Sequence, residues 1–186
     1  MTTPLDRFLR YVAFDTQSSA KTGNHPSTPG QLVLADSIAD ELRALGARGV
    51  RRSPDGYVYA AVPASPGRED EPALGFVAHF DTAAEASGAG VKPRVVRYGG
   101  GVLPLGGSGI SLDPATTPEL ARLAGKTLVV TDGTTLLGAD DKAGLAIVVS
   151  AAAALLAPDA SAAVSRCATN PSAGSSSRPG EAGTVA

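Results

Sequence analysis

The sequence predicts an α/β fold, a mixed sheet flanked by helices, and three observations carry that expectation. Two short, continuous apolar runs, Ala73–Ala78 and Thr127–Thr131, have the composition of strands buried on both faces. Three segments, Pro4–Val12, Gln31–Leu45 and Ala143–Leu156, read as helices. Apolar strands and helices alternate along the chain, the pattern of sheet and helix layers packed on one another.

Taken in order, the first helix presents Leu5, Phe8, Leu9 and Val12 on one face. Residues 15–29 hold Thr, Ser, Gly, Asn and two prolines and read as a polar loop. The second helix carries Leu32, Leu34, Ala35, Ile38, Ala39, Leu42 and Leu45 as its apolar stripe, and Gly46 stops it. Strands near Gly49–Arg52 and Tyr57–Val62 flank a Pro54-Asp55-Gly56 turn. A charged loop, 64–72, leads to the first buried run. Residues 83–118 are rich in Gly and Pro and show little periodicity. Leu120–Leu123 reads as a helical turn, Thr127–Thr131 as the second buried strand, and 138–142 as the lead into the third helix. From Pro158 onward the text turns to Ala, Ser, Gly, Pro and Thr, which cannot bury enough surface to offset its ordering entropy. Two regions are therefore expected: a catalytic-type domain over 1–157 and a low-complexity tail, disordered or frame-shifted, over 158–186.

With 186 residues the chain can bury a core. A net charge of −2 and the lack of any Lys/Arg cluster argue against nucleic-acid binding. The N-terminal segment is charged throughout, with no signal core, and the charge-free stretch 143–158 is short and Ala-rich, so no membrane span is expected. The single cysteine, Cys167, leaves no intrachain disulfide. These features point to a soluble cytoplasmic protein. The oligomeric state stays open.

Two acidic motifs carry the chemistry. Leu-Gly-Phe-Val-Ala-His-Phe-Asp-Thr at 74–82 places His79 and Asp81 two residues apart, hence on one side of an extended chain. An imidazole is a good zinc ligand, and a carboxylate beside it can hold the other ring nitrogen. Leu-Leu-Gly-Ala-Asp-Asp-Lys-Ala-Gly at 136–144 places Asp140 and Asp141 before a helix. Asp140 can bridge two cations through its two oxygens. Each motif has a plainer reading: a hydrogen-bonded His–Asp pair for the first, a helix N-cap for the second. Their occurrence together, each after an apolar run, favours a metal site, though only half of one. The Gly-rich segments 99–101 and 106–109 lack a P-loop pattern and read as turns. Cys167 has no histidine nearby, and His25 reads as a solvated loop residue.

Several stretches together resemble the M20 family of metallopeptidases. They are FLRYVAFDTQS and PSTPGQ near the N-terminus, GFVAHFDT at 75–82, VVRYGGG followed by LPLGGSGISLDP, and TLVVTDGTTLLGADDKAG at 127–144. The resemblance runs over about residues 4–156 and covers only the N-terminal portion of such a protein, without its lid domain. It implies a dinuclear zinc aminopeptidase, other divalent metals being possible, that releases the N-terminal residue of a tripeptide. By this resemblance His79 is a ligand of one zinc and Asp140 the carboxylate bridging both. Asp81 is the active-site aspartate supporting His79, and the Asp140–Asp141 peptide bond is cis. The family also uses an adjacent Glu-Glu pair, another Asp and a distant His. The chain has no such pair, and its only histidines are His25 and His79. An incomplete, inactive fragment is the resulting expectation, with a non-catalytic, weak cation or partner binder as the alternative.

Overall fold

Residues 2–158 are described by a computed structural model. The tail expected from Pro158 onward, including Cys167, lies outside the described residues from 159 on. Helix α1 spans Pro4–Tyr11, α2 Pro29–Ala44 and α3 Ala139–Leu156. The strands are β1 Arg48–Arg52, β2 Val58–Ala61, β3 Arg94–Arg97, β4 Leu103–Pro104, β5 Ser111–Leu112 and β6 Thr127–Val130, with a 3-10 turn at Pro118–Leu123.

The helices form where capping and periodicity agree. Thr3 caps α1 by accepting from the Asp6 N–H at 3.1 Å, and the Asp6 carboxylate accepts from the Thr3 N–H at 2.8 Å. This reciprocal box satisfies two donors that the first turn would otherwise orphan. Pro4 and Pro29 stand in the first turns of α1 and α2, where no helical N–H is needed. Phe8, Tyr11 and Val12 from α1, Leu34, Ile38 and Leu42 from α2, and Leu145, Ala146 and Val149 from α3 make one core. The Ala-rich face of α3, with Ala146 and Ala153 buried, allows close approach of α1.

A polar network is buried beside that core. Arg7, 2% exposed, donates from Nε to Glu41 Oε1 at 2.8 Å and from Nη1 to Ser150 Oγ at 3.0 Å. Arg10 pairs with the other Glu41 oxygen, to which Tyr11 Oη also donates at 2.6 Å. All three helices are thereby tied through Arg7, which reaches Glu41 of α2 and Ser150 of α3. Burial raises the cost of charging Glu41, but Tyr11 and the two guanidinium groups outweigh it and hold its carboxyl below the ordinary range.

The expected mixed sheet is not formed among the described residues. They contain three two-stranded antiparallel pairs: β1 with β2, β3 with β6, and β4 with β5. The β1–β2 pair and its turn follow the sequence reading closely, and Gly56 takes the left-handed φ of 89° that the turn needs. Strands β3 to β5 arise inside the stretch that showed no periodicity. At two to four residues each, they are too short to display any.

Ala73–Ala78 is a correction. The run belongs to no strand, and Leu74, Phe76 and Val77 are 79%, 65% and 97% exposed. A buried strand needs neighbours for its N–H and C=O groups and a layer over each face. The described residues supply neither.

Candidate metal centre

The chain that follows this exposed run is held firmly. Thr16, fully buried, accepts at its carbonyl from the Thr82 N–H at 3.0 Å, and its hydroxyl donates to the Phe80 carbonyl at 2.5 Å. The Ser18 N–H donates to the Thr82 carbonyl at 2.8 Å, so residues 16–18 run parallel to 80–82 as a short strap. His79 and Asp81 sit on the strapped segment. Gly30, in the first turn of α2, backs the strap so closely that a Cβ there would lie 1.8 Å from the Asp15 carbonyl oxygen.

Asp140 arrives from the start of α3. The Asp140–Asp141 peptide bond is cis, as the resemblance led us to expect. Both residues have non-helical backbone angles, so the regular helix begins after them. The Gly144 N–H donates to Asp141 Oδ1 at 3.0 Å, so Asp141 takes the capping role. That leaves Asp140 to face His79. Lys142 is buried, with Nζ donating to the Phe14 carbonyl at 2.8 Å. Burial, opposed by the nearby Asp15 carboxylate, brings the Lys142 ammonium down to about 8.

The structure therefore brings His79, Asp81 and Asp140 together. His79 Nε2 lies 3.1 Å from Asp140 Oδ1, and Nδ1 lies 3.2 Å from the Asp81 carbonyl and 3.3 Å from Asp81 Oδ1. Both ring nitrogens face acceptors, Nδ1 the Asp81 carbonyl and carboxylate and Nε2 the Asp140 carboxylate, so either nitrogen can carry the proton. Burial disfavours the charged ring, but the Asp81 carbonyl and the carboxylates of Asp81 and Asp140 prevail and raise the His79 pKa. His25, by contrast, is exposed in its loop, away from this cluster.

The donor set can be tested against a metal. Zinc–nitrogen and zinc–oxygen bonds of about 2.0–2.2 Å meeting at a tetrahedral angle put two donors about 3.3–3.6 Å apart. His79 Nε2 and Asp140 Oδ1, at 3.1 Å, are near that spacing but closer, at the distance of a direct hydrogen bond. A closed zinc site takes four ligands. Among the described residues no group of three or more His, Cys, Asp or Glu is placed to hold an ion. Asp81 spends its oxygens on His79 and on Ser18, whose hydroxyl donates to Asp81 Oδ2 at 2.7 Å. The residues present thus fit part of a metal centre and not a whole one.

Thr16 and Ser18 were not singled out from the sequence, which placed 16–18 at the edge of a polar loop. Their only signal was membership of the FDTQS stretch that took part in the family resemblance. Beside the strap lies an open cleft of about 580 Å³ bordered by Asp15, Gln17, Ser18, Lys21 and Thr28. No helix among the described residues is long and apolar enough to cross a membrane.

No protein-family model matches the chain. Curated proteins do. Peptidase T of Vibrio atlanticus is 50% identical over 157 residues, which is 83% of this chain and 38% of that protein. Peptidase T of Parabacteroides distasonis is 46% identical over 149 residues, 80% of this chain and 36% of its own length. Peptidase T of Clostridium perfringens is 48% identical over 147 residues, with 78% and 36% covered. The chain spans little more than a third of the length of these relatives. The resemblance read from the motifs is borne out: over about four-fifths of its length this chain is related to peptidase T.

Proposed function

We propose that this chain carries the first part of a dinuclear zinc aminopeptidase centre of the M20 type, acting on tripeptides. The observation that supports the reading best is the convergence of His79 and Asp140 from distant segments to 3.1 Å, in a chain related to peptidase T. In this reading His79 Nε2 and Asp140 are metal ligands, and Asp81 orients His79 through Nδ1. Bound divalent ions lower the pKa of water and polarise a carbonyl. The described residues are the N-terminal part of the catalytic domain. The exposed run 73–78 belongs to a sheet whose other strands, like the lid, come from the portion of the relatives that is not matched here. The site is soluble and cytoplasmic, with a tripeptide as its substrate and no nucleic-acid or membrane partner.

The polypeptide as written is inactive, the outcome expected from its sequence. The shortage of ligands among the described residues favours this, and so does the lack of an adjacent Glu-Glu pair in the sequence, since the loss of a general base costs about 10²–10⁴-fold. The experiment compares the chain with His79→Ala for cobalt binding and for tripeptide hydrolysis with added zinc. Weak cobalt binding that His79→Ala abolishes, with no hydrolysis above the variant, is expected. Cobalt binding that is equal in both proteins refutes the assignment of His79. Hydrolysis that depends on His79 refutes the claim of inactivity.

A further inference from the structure

Residues 73–78 make no backbone hydrogen bond to any described residue, and the backbone takes no turn or bend from 72 to 80. In a strand, successive residues turn their N–H and C=O groups to opposite edges. The strap from residues 16–18 already occupies the edge addressed by Phe80 and Thr82. Counting back in twos, Ala73, Gly75 and Val77 address the other edge, which is free among the described residues. A free apolar edge is a template for a strand from another molecule. The sequence from 159 onward has no Leu, Ile, Phe or Tyr, so it holds no run of strand formers to match this edge.

We propose that this edge docks a second copy of the same chain, as an antiparallel strand pair whose two-fold axis passes through Gly75. The inference does not depend on any metal. What points to a second copy is the self-complementarity of the run. In this register Gly75 faces its own equivalent, Leu74 faces Phe76, and Ala73 faces Val77. Leu74 and Phe76 of both copies then share one face, an aromatic–aliphatic cluster of four exposed side chains. Glu71, half-exposed, faces the imidazole of His79. Moving the axis to Phe76 sets Glu71 against the Asp81 carboxylate and leaves Leu74 opposite Ala78, and like charges directly opposed are destabilising. Exchange at Gly75 and at the two Ala73–Val77 pairs makes about six backbone hydrogen bonds. Six residues at about 3.4 Å each give a seam of about 20 Å. Such a seam falls below the roughly 1,200 Å² of a standard interface, so the dimer is weak and forms at high micromolar concentration.

The test uses the full chain. Sedimentation of the parent between about 5 and 500 µM should show a shift from monomer to dimer, and Val77→Lys should stay monomeric over the same range. Cysteine crosslinking then reads the register, in a Cys167→Ser background that removes the native thiol. A Cβ at Gly75 meets nothing within 4 Å, so Gly75→Cys is accommodated. Its two copies would lie about 5.5 Å apart between Cα atoms, within reach of a disulfide. Val77→Cys would lie about 14 Å from its equivalent along the strands and should not crosslink. A parent that stays monomeric throughout, or a Val77→Lys protein that associates as the parent does, overturns the proposal. Equal crosslinking at 75 and 77, or growth past the dimer into fibres, overturns it in favour of parallel stacking.

Discussion

Replacing Gly30 by Ala should destabilise the chain, although every local argument says the reverse. Gly30 is in the first turn of α2, with ordinary helical geometry. In an open helix position Ala is better than Gly by up to about 1 kcal/mol, and it also reduces the freedom of the unfolded chain. Here the added methyl would stand 1.8 Å from the Asp15 carbonyl oxygen and 3.0 Å from its carbon. The obstacle is backbone, so no side chain can swing aside; the strap or the helix must retreat by more than about 1 Å to restore van der Waals contact. Overpacking of this kind costs about 1–3 kcal/mol. A retreat of the strap also stretches the Thr82-to-Thr16 and Thr16-to-Phe80 hydrogen bonds beyond useful length, each worth about 1 kcal/mol. Setting these losses against the gain in propensity leaves a net destabilisation of about 2–4 kcal/mol. Urea unfolding followed by far-ultraviolet circular dichroism suits a chain without tryptophan. A Gly30→Ala midpoint equal to or above the parent's refutes the close contact and, with it, the rigid strap behind Asp81.

Two further outcomes follow from burial. Glu41→Gln leaves Arg7 buried without its counter-charge, and because Glu41 keeps 17% side-chain exposure the loss should be near the lower end for a buried pair, about 3 kcal/mol. The lowered Glu41 pKa means its stabilisation is complete above the unfolded carboxyl value, near 4.3, and is lost as pH falls through the folded value. The urea midpoint of the parent should therefore drop on acidification below about pH 4.5 more steeply than that of Glu41→Gln, and parallel slopes would refute the role of Glu41. Val77→Lys should change stability by no more than about 0.5 kcal/mol, because the side chain is 97% exposed. A loss of several kcal/mol, read from the same urea curves, would mean that the run is buried after all.

Local signals were the legible ones. The three helices, the turn at 54–56 and the helical turn before β6 appear within a residue or a few of their sequence-read bounds, because caps, stripes and turn residues act over a few positions. The sheet was not legible in the same way. An apolar run such as Ala73–Ala78 records only that the segment suits a buried strand; whether it becomes one depends on partners elsewhere in the chain. Strands β3 and β6 are the converse case, since Arg94–Arg97 gave no pattern of its own and pairs with Thr127–Val130 across 29 residues that hold β4, β5 and the 3-10 turn.

The same distinction governs the site. His79, Asp81 and Asp140 could be picked out because their residue types are unusual after apolar runs, and the structure brings the three together. The division of labour between the adjacent aspartates could not be read from their order, since either carboxylate can cap a helix. It emerges from the backbone: non-helical angles at both residues hand the Gly144 N–H to Asp141 and turn Asp140 outward, with its side chain 95% exposed beside His79. That exposure is informative about the proposed centre. A bridging carboxylate in a finished site would be enclosed by its ions and their other ligands, whereas Asp140 meets only His79 among the described residues. The geometry of the two proposed ligands is therefore set by the local fold, through the strap and the capped start of α3. Enclosure and catalysis would have to come from donors beyond these residues.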